Sequence, residues 1–497
     1  MFKTAISWSC LSVLLLTSCK PSMEEYGNLG LQNQKPNIIV FLIDDLGKEW
    51  LSSYGATDIA TPNIDALSES GMQFNNVYGM PQCTPSRVTL LTGQYPFRHG
   101  WVNHWDVPRW GGGAHFDESL NPSLPLEMKR AGYKTFIGGK WQIDDFRVEP
   151  DALTRAGFDE FCMWTGYETG NPEASQNRYN DPYIFTKEGS RLYPGEYGPD
   201  IFKGCLIDFL RKNKEEPMFV YYPMVLTHGP YEKTPLDSKV PPTTLETHAS
   251  MVRYTDLITG EIVHELDKLG IRENTLIIWT TDNGTSKGFS SHMNGRKIDG
   301  GKGSTSESGI CLPFIASWPG TIEANTESNA LIDFTDLFPT FLDLAEVNIG
   351  DKWLVGDETQ VIDGKSFKSV LLGNSPNSQR EWILGMGGGN NARLTDQGVE
   401  NQYVFRDRVV RNLRYKLTMG SNKSPTGFYD LEIDPDEQQN LINQLNTEER
   451  TKNYEELLSV LDYFLDKDND PRYVPNPPQP WDVEVTAKSQ VWKIGSQ

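Results

Sequence analysis

A chain of 497 residues with 37% hydrophobic and 23% charged content can bury a large core, which excludes a disordered or coiled-coil protein. Its formal net charge of −21 excludes the broad basic surface of a nucleic-acid binder. Any anionic substrate must instead meet a local pocket of positive charge.

The N-terminus reads as a targeting segment. Lys3 supplies a short positive region, and Leu11 to Leu16 form an apolar stretch too short to cross a bilayer as a mature helix. Leu16-Thr17-Ser18-Cys19 resembles a bacterial lipobox, with small residues before a cysteine. Residues 1–18 are therefore expected to be a lipoprotein signal peptide, Cys19 the lipidated residue and 19–35 a tether. On this expectation the protein is exported to the cell envelope, periplasmic or at the cell surface, and meets the membrane only through its lipid. The alternative is a cleaved secretory peptide with an incidental cysteine. Of six cysteines, only Cys162, Cys205 and Cys311 have no assigned role. That odd remainder argues against a disulfide framework and leaves a single bridge open.

In chain order, 38–43 is a continuous apolar run, predicted to be a buried parallel strand, that ends in Asp44-Asp45. Further strands are predicted at 134–140, at 217–225 before His228, and at 275–281 before Asp282-Asn283. Helical periodicity covers 251–269, with Leu257, Val263, Leu266 and Leu269 on one face and Glu261 and Lys268 outside it. It returns at 331–345 with Leu337, Phe341 and Leu344. The alternation predicts an α/β domain over 36–373, with a large, mostly parallel sheet flanked by helices. Short antiparallel strands at 380–384, 403–412 and 415–419 and an amphipathic helix at 449–465 predict a smaller α+β domain over 374–497. Residues 470–497 complete it as an extended arm.

Asp44, Asp45, Asp282 and Asn283 offer only oxygen donors, which suits a hard cation such as Ca2+ or Mg2+ and not zinc. Taken singly, each pair is an ordinary turn or helix cap. Together, each at the end of a buried strand, they favour a metal site. The segment 83–93 reads CTPSRVTLLTG, a cysteine two residues before a proline and four before an arginine.

The blocks PNIIVFLIDDLG, CTPSRVTLLTG, Gly139-Lys140-Trp141, LIIWTTDNG, GGKGSTSESG, LPFIASWPG and FYDLEIDPDEQQNL follow one another over residues 36–441. In order and spacing the chain resembles the type I sulfatases of the alkaline-phosphatase-like superfamily. The resemblance implies that a formylglycine-generating or anaerobic sulfatase-maturating enzyme oxidises Cys83 to formylglycine (3-oxoalanine). A hydroxyl of the hydrated aldehyde then attacks sulfur, and expulsion of sulfate regenerates the aldehyde. It further implies that Asp44, Asp45, Asp282, Asn283 and the modified Cys83 hold Ca2+ in preference to Mg2+. Arg87, Lys140 and Lys302 would offset the sulfate charge, and His228 would protonate the leaving alcohol. One departure stands out: Gln142 follows Trp141 where many members have histidine, and an amide cannot act as a base near neutral pH. His99, His104, His115 and His292 are candidates to replace it, though each fits a structural role better.

The expected substrate is a sulfated oligo- or polysaccharide. Trp101 to Trp105, Trp110 and Trp164 to Tyr167 could stack on sugar rings, although any single tryptophan is better read as packing. Algal polysaccharides such as ulvan or carrageenan are favoured over host glycosaminoglycans. The competing readings are a phosphodiester or phosphonate monoester hydrolase on the same fold, a non-catalytic glycan binder, and a structural surface lipoprotein.

Overall fold

Strand β1 (Asn37–Ile43) is apolar from Ile38 onward because both of its faces are covered. Ile38, Val40 and Leu42 enter one hydrophobic cluster, and Ile39, Phe41 and Ile43 enter another on the opposite face. The structure, a computed structural model, describes Met1 and residues 35–102, 114–144, 146, 148–164, 177–348, 352–355, 358–387, 393–395, 398–400, 407–464 and 473–475. The predicted signal peptide and tether, His104, Trp105, Trp110, Tyr167 and most of the C-terminal arm lie outside them.

The remaining strands of the main sheet are β2 (Met72–Tyr78), β3 (Lys134–Gly139), β4 (Glu160–Trp164), β5 (Tyr183–Thr186), β6 (Gly189–Leu192), β7 (Met218–Pro223), β8 (Thr275–Thr281), β9 (Cys311–Ser317) and β10 (Thr326–Asp333). Their order is β10-β2-β9-β8-β1-β7-β3-β4-β5-β6. The five strands from β8 to β4 run parallel. β9 runs antiparallel to β8 and β2, and β5 and β6 close the other edge as an antiparallel hairpin. The sheet is thus mixed at its margins and parallel at the centre, where the site forms.

Helix boundaries depart from the periodicity in two places. The helix predicted from 251 begins about two turns earlier, as Thr244–Leu269, because Thr243 and Glu246 form a reciprocal capping box. Its buried stripe is Met251, Ile258, Ile262 and Leu266; Leu257, Val263 and Leu269 are only half buried. The helix predicted over 331–345 is confined to Leu337–Leu344. Leu331 belongs to β10, joined to the helix through a tight turn at Phe334–Asp336 with no glycine or proline to mark the change.

The smaller sheet orders β11 (Ile383–Met386), β12 (Arg408–Arg411), β13 (Tyr415–Met419) and β14 (Pro425–Asp430) antiparallel, under the helix Glu448–Tyr463. Leu384, Leu417, Phe428, Leu457 and Leu461 pack with Met80, Tyr95 and Phe97, which flank the helix that begins at Cys83. A disulfide joins Cys162 on β4 to Cys205 on the helix Gly198–Asn213, so the one bridge left open by the cysteine count is formed.

β3 ends at Gly139, whose φ of 118° lies outside the range of L side chains and whose added Cβ would sit 2.1 Å from the Pro223 carbonyl oxygen. Gly139→Ala should therefore lower unfolding stability by about 2 kcal/mol or more, read as a fall in the guanidinium midpoint. An unchanged midpoint would contradict the packing of β3 on β7.

Candidate active site

Strand register brings the charged groups together. Ile43 of β1 pairs with Thr281 of β8, so Asp44-Asp45 and Asp282-Asn283 leave the sheet side by side. Asp282 N–H donates to the Ile43 carbonyl at 2.9 Å, and Asp45 N–H donates to Asp282 Oδ1 at 3.1 Å. On the other side of β1, Lys140 N–H donates to the Pro223 carbonyl at 2.8 Å, and Thr227 N–H donates to the Asp44 carbonyl at 2.8 Å. Those bonds set Lys140 and His228 at the same C-terminal edge, where open α/β sheets keep their ligands.

Cys83 is the first residue of the buried helix Cys83–Thr92, which ends at Gly93. Its Sγ lies 3.3 Å from Asp44 Oδ1 and 3.7 Å from Asp45 Oδ1. The helix N-terminus adds partial positive charge there. Arg87, one turn on, presents Nε and Nη2 to Asp282 Oδ2 at 3.1 and 2.7 Å and donates Nη1 to the Lys140 carbonyl. Lys140 Nζ lies 2.6 Å from Asp44 Oδ2, and Lys302 Nζ lies 2.6 Å from Asp45 Oδ2 and 3.6 Å from Cys83 Sγ. His228 Nε2 lies 3.7 Å from Asp45 Oδ2. Ligand atoms of Asp44, Asp45, Cys83 and His228 all fall within 4.8 Å of one another.

Electrostatics follow from that crowding. Burial pushes the Asp44 carboxyl up, but Lys140, His228, Arg87 and Lys302 outweigh it and hold it well below the ordinary range. Asp45 is likewise held at about 2, burial being overcome chiefly by Lys302. Burial and then the Asp44 charge push Asp282 up to about 6. Asp282 in turn raises Arg87, so with 2.7 Å between them we take the ion pair as the state that the geometry supports. Burial, then Asp282 and Asp44, hold the Cys83 thiol well above its usual value. Burial and Lys302 push the His228 imidazole down, an effect softened by solvent because 29% of its side chain is accessible.

The donor set fits a hard cation. Asn283 Oδ1 is buried with no hydrogen-bond partner, while its Nδ2 donates to Asp45 Oδ1 at 2.8 Å. An orphaned amide oxygen beside three carboxylates is a coordination position for an oxygen-seeking ion.

Gln142 adopts a left-handed φ of 59°, its carbonyl accepts from Thr84 Oγ1 at 3.0 Å, and its Oε1 is buried without a partner. The candidates to replace the missing histidine are engaged elsewhere. His99 bonds Thr89 and the Trp101 backbone, His115 lies by Glu149, and His292 pairs with Asp58. Two of the aromatic candidates are corrected. Trp101 is fully buried against His99 and Phe116, and Trp164 is covered by the Arg178 guanidinium, so neither offers a free face to a sugar.

Sequence reasoning missed four neighbours. Ser286 Oγ donates to Asp45 Oδ2 at 2.9 Å, and Thr227 Oγ1 contacts the Asp45 carbonyl at 3.3 Å. Both lie within three residues of predicted site residues, which was the available signal. His248, bonded to Thr227 and stacked on Phe289, comes from inside a helix with no local motif. Arg178 lies 3.4 Å from His228 Nδ1 and had no motif either.

The family model described as Sulfatase matches residues 36–347, and one described as N-sulphoglucosamine sulphohydrolase, C-terminal, matches 302–462. The chain is 30% identical to an N-acetylgalactosamine-6-O-sulfatase of Bacteroides thetaiotaomicron, over 87% of this chain and 94% of that protein. It is 26% identical to an ulvan-active sulfatase of Formosa agariphila, over 91% and 84%. The crystal structure of Ps i-CgsB in complex with k-i-k-neocarrahexaose shares the fold, with a TM-score of 0.69 at 23% identity, over 93% of this chain and 98% of that one. With a family match across most of its length and the family's motifs gathered at one sheet edge, the chain belongs to the type I, formylglycine-dependent sulfatases of the alkaline-phosphatase-like superfamily and is a sulfuric ester hydrolase.

Proposed function

We propose that this sulfatase cleaves sulfate esters on a sulfated oligosaccharide, with Cys83 matured to formylglycine and Ca2+ held by Asp44, Asp45, Asp282 and Asn283. The observation that carries the proposal is the position of residue 83, first in a buried helix and within 3.6 Å of both Asp44 and Lys302. Formylglycine would supply an oxygen nucleophile that the encoded thiol lacks. Bound Ca2+ would supply Lewis acidity toward the sulfate oxygens.

The chain's own residues do the rest. Arg87 is fixed by Asp282 at the pocket floor, and Lys140 and Lys302 stand on Asp44 and Asp45, so three cations face the sulfuryl oxygens. His228 Nδ1 lies 2.7 Å from the Gly229 carbonyl, which assigns a hydrogen to Nδ1 and leaves Nε2, facing Asp45, as the nitrogen that first takes up a proton and then passes it to the leaving oxygen. Gln142 orients by hydrogen bonding and takes no proton.

Two substrate pools have support. The ulvan-active relative favours algal oligosaccharides, and the Bacteroides relative favours 6-sulfated N-acetylgalactosamine. Export to an oxidising compartment, with Cys19 as a lipid anchor, is in keeping with the Cys162–Cys205 bridge.

The test is desulfation of a panel of defined sulfated oligosaccharides from both pools, read by mass spectrometry beside matched phosphodiesters. We expect sulfate release from at least one saccharide and loss of turnover by more than about 1,000-fold in Cys83→Ala. Faster phosphodiester cleavage, or activity retained in Cys83→Ala, would sink the proposal. Lys302→Ala should lower kcat by about 100- to 1,000-fold, as for removal of a preorganised charge at the reacting group. A loss confined to KM would mean that Lys302 only binds substrate.

A further inference from the structure

Arg178 carries a buried positive charge with no carboxylate partner among the described residues. It is 6% exposed, and its guanidinium stacks on the Trp164 ring, 3.9 Å from the centroid. Nε is buried with no hydrogen-bond partner. Nη1 lies 3.4 Å from His228 Nδ1, but that nitrogen is 2.7 Å from the Gly229 carbonyl. The shorter contact claims the Nδ1 hydrogen, so the imidazole has no lone pair to offer the guanidinium. Among the described residues no carboxylate forms an ion pair with Arg178. Arg87 pairs with Asp282 at 2.7 Å and Arg411 with Glu307 at 3.3 Å, while Arg272, buried and likewise without a carboxylate, donates instead to the Thr275 carbonyl at 3.0 Å and to Ser317 Oγ; Arg178 Nε has neither kind of partner. An unpaired buried guanidinium is costly, and the cost falls when an anion arrives.

The place of Arg178 says where such an anion would come from. His228 separates it from Asp45, with contacts of 3.4 Å on one side of the imidazole and 3.7 Å on the other. If the scissile sulfate sits at residue 83 and its leaving oxygen at His228, as the sulfatase reading has it, a substituent on the next carbon would lie toward the Arg178 side of that ring. We propose that Arg178 is a specificity residue that reads a second anionic group on the saccharide, either a second sulfate on the same sugar or the carboxylate of an adjoining uronic acid. The Trp164 ring fixes the plane of the fork that grips it. The inference rests on the sulfatase reading above and narrows its substrate to saccharides with at least two anionic groups.

The test uses the full-length matured enzyme and three probes: a hexose whose one charge is a single sulfate, the same hexose with a second sulfate, and the same monosulfated hexose joined to a hexuronic acid. Preference is the ratio of kcat/KM on each dianionic probe to that on the monosulfated one. As a ratio within one preparation, it is unaffected by the fraction of active enzyme. Wild type should prefer one dianionic probe, and Arg178→Gln should lower that preference by about 10- to 100-fold, mainly through KM. Arg178→Lys should restore part of it, and the probe that responds identifies sulfate or carboxylate as the anion. A ratio unchanged in Arg178→Gln, or a wild type active on the monosulfated probe without preference, overturns the inference and leaves the sulfatase reading intact. A wild type inactive on all three probes overturns both.

Discussion

Three carboxylates leave the main sheet at one edge with almost no access to water, and the site is built around the charges that make this tolerable. Asp44, Asp45 and Asp282 are at most 1% exposed, and each stands within 2.7 Å of a cation from a different part of the chain: Lys140, Lys302 and Arg87. A buried carboxylate left unpaired costs several kcal/mol. Moving any one of these six residues would therefore leave its partner's charge buried and unpaired. Such preorganised charge favours a transition state in which negative charge is redistributed around sulfur.

The fold supplies this arrangement through register more than through loops. Parallel pairing of β1 with β8 aligns two acidic pairs, and pairing of β1 with β7 and of β7 with β3 aligns His228 and Lys140 at the same level. The helix that starts at Cys83 is wedged under them, with its flanking residues Met80, Tyr95 and Phe97 packed against the smaller sheet. The C-terminal layer thus takes part in holding the position of Cys83, although it contributes none of the site residues named above.

Much of this was legible in the sequence because each site residue lies at the end of an unbroken apolar run or inside a dense motif. Asp44, Asp45, Cys83, Arg87, Lys140, His228, Asp282, Asn283 and Lys302 meet where the motifs place them. What lay hidden depends on tertiary contact. The end of β10, from Leu331 to Asp333, reads as helix because its apolar residues run toward the next helix without a breaker. Trp164 is packed, as a single tryptophan is best read, but its cover, Arg178, lies fourteen residues along the chain and could not be named from the sequence. Arg178 and His248 sit in segments with no motif, and only the fold brings them to His228 and Thr227.

The most direct test of the central claim, that the buried carboxylates are arranged around a divalent cation, is the melting temperature of chelator-treated protein on addition of Ca2+, compared with Asp45→Asn. At a free concentration about 100 times the dissociation constant, binding to the folded state adds about 2.7 kcal/mol, so the wild type should melt a few degrees higher and Asp45→Asn should lose most of that shift. A wild type whose melting is indifferent to Ca2+, or an Asp45→Asn variant stabilised as strongly as the wild type, would contradict it.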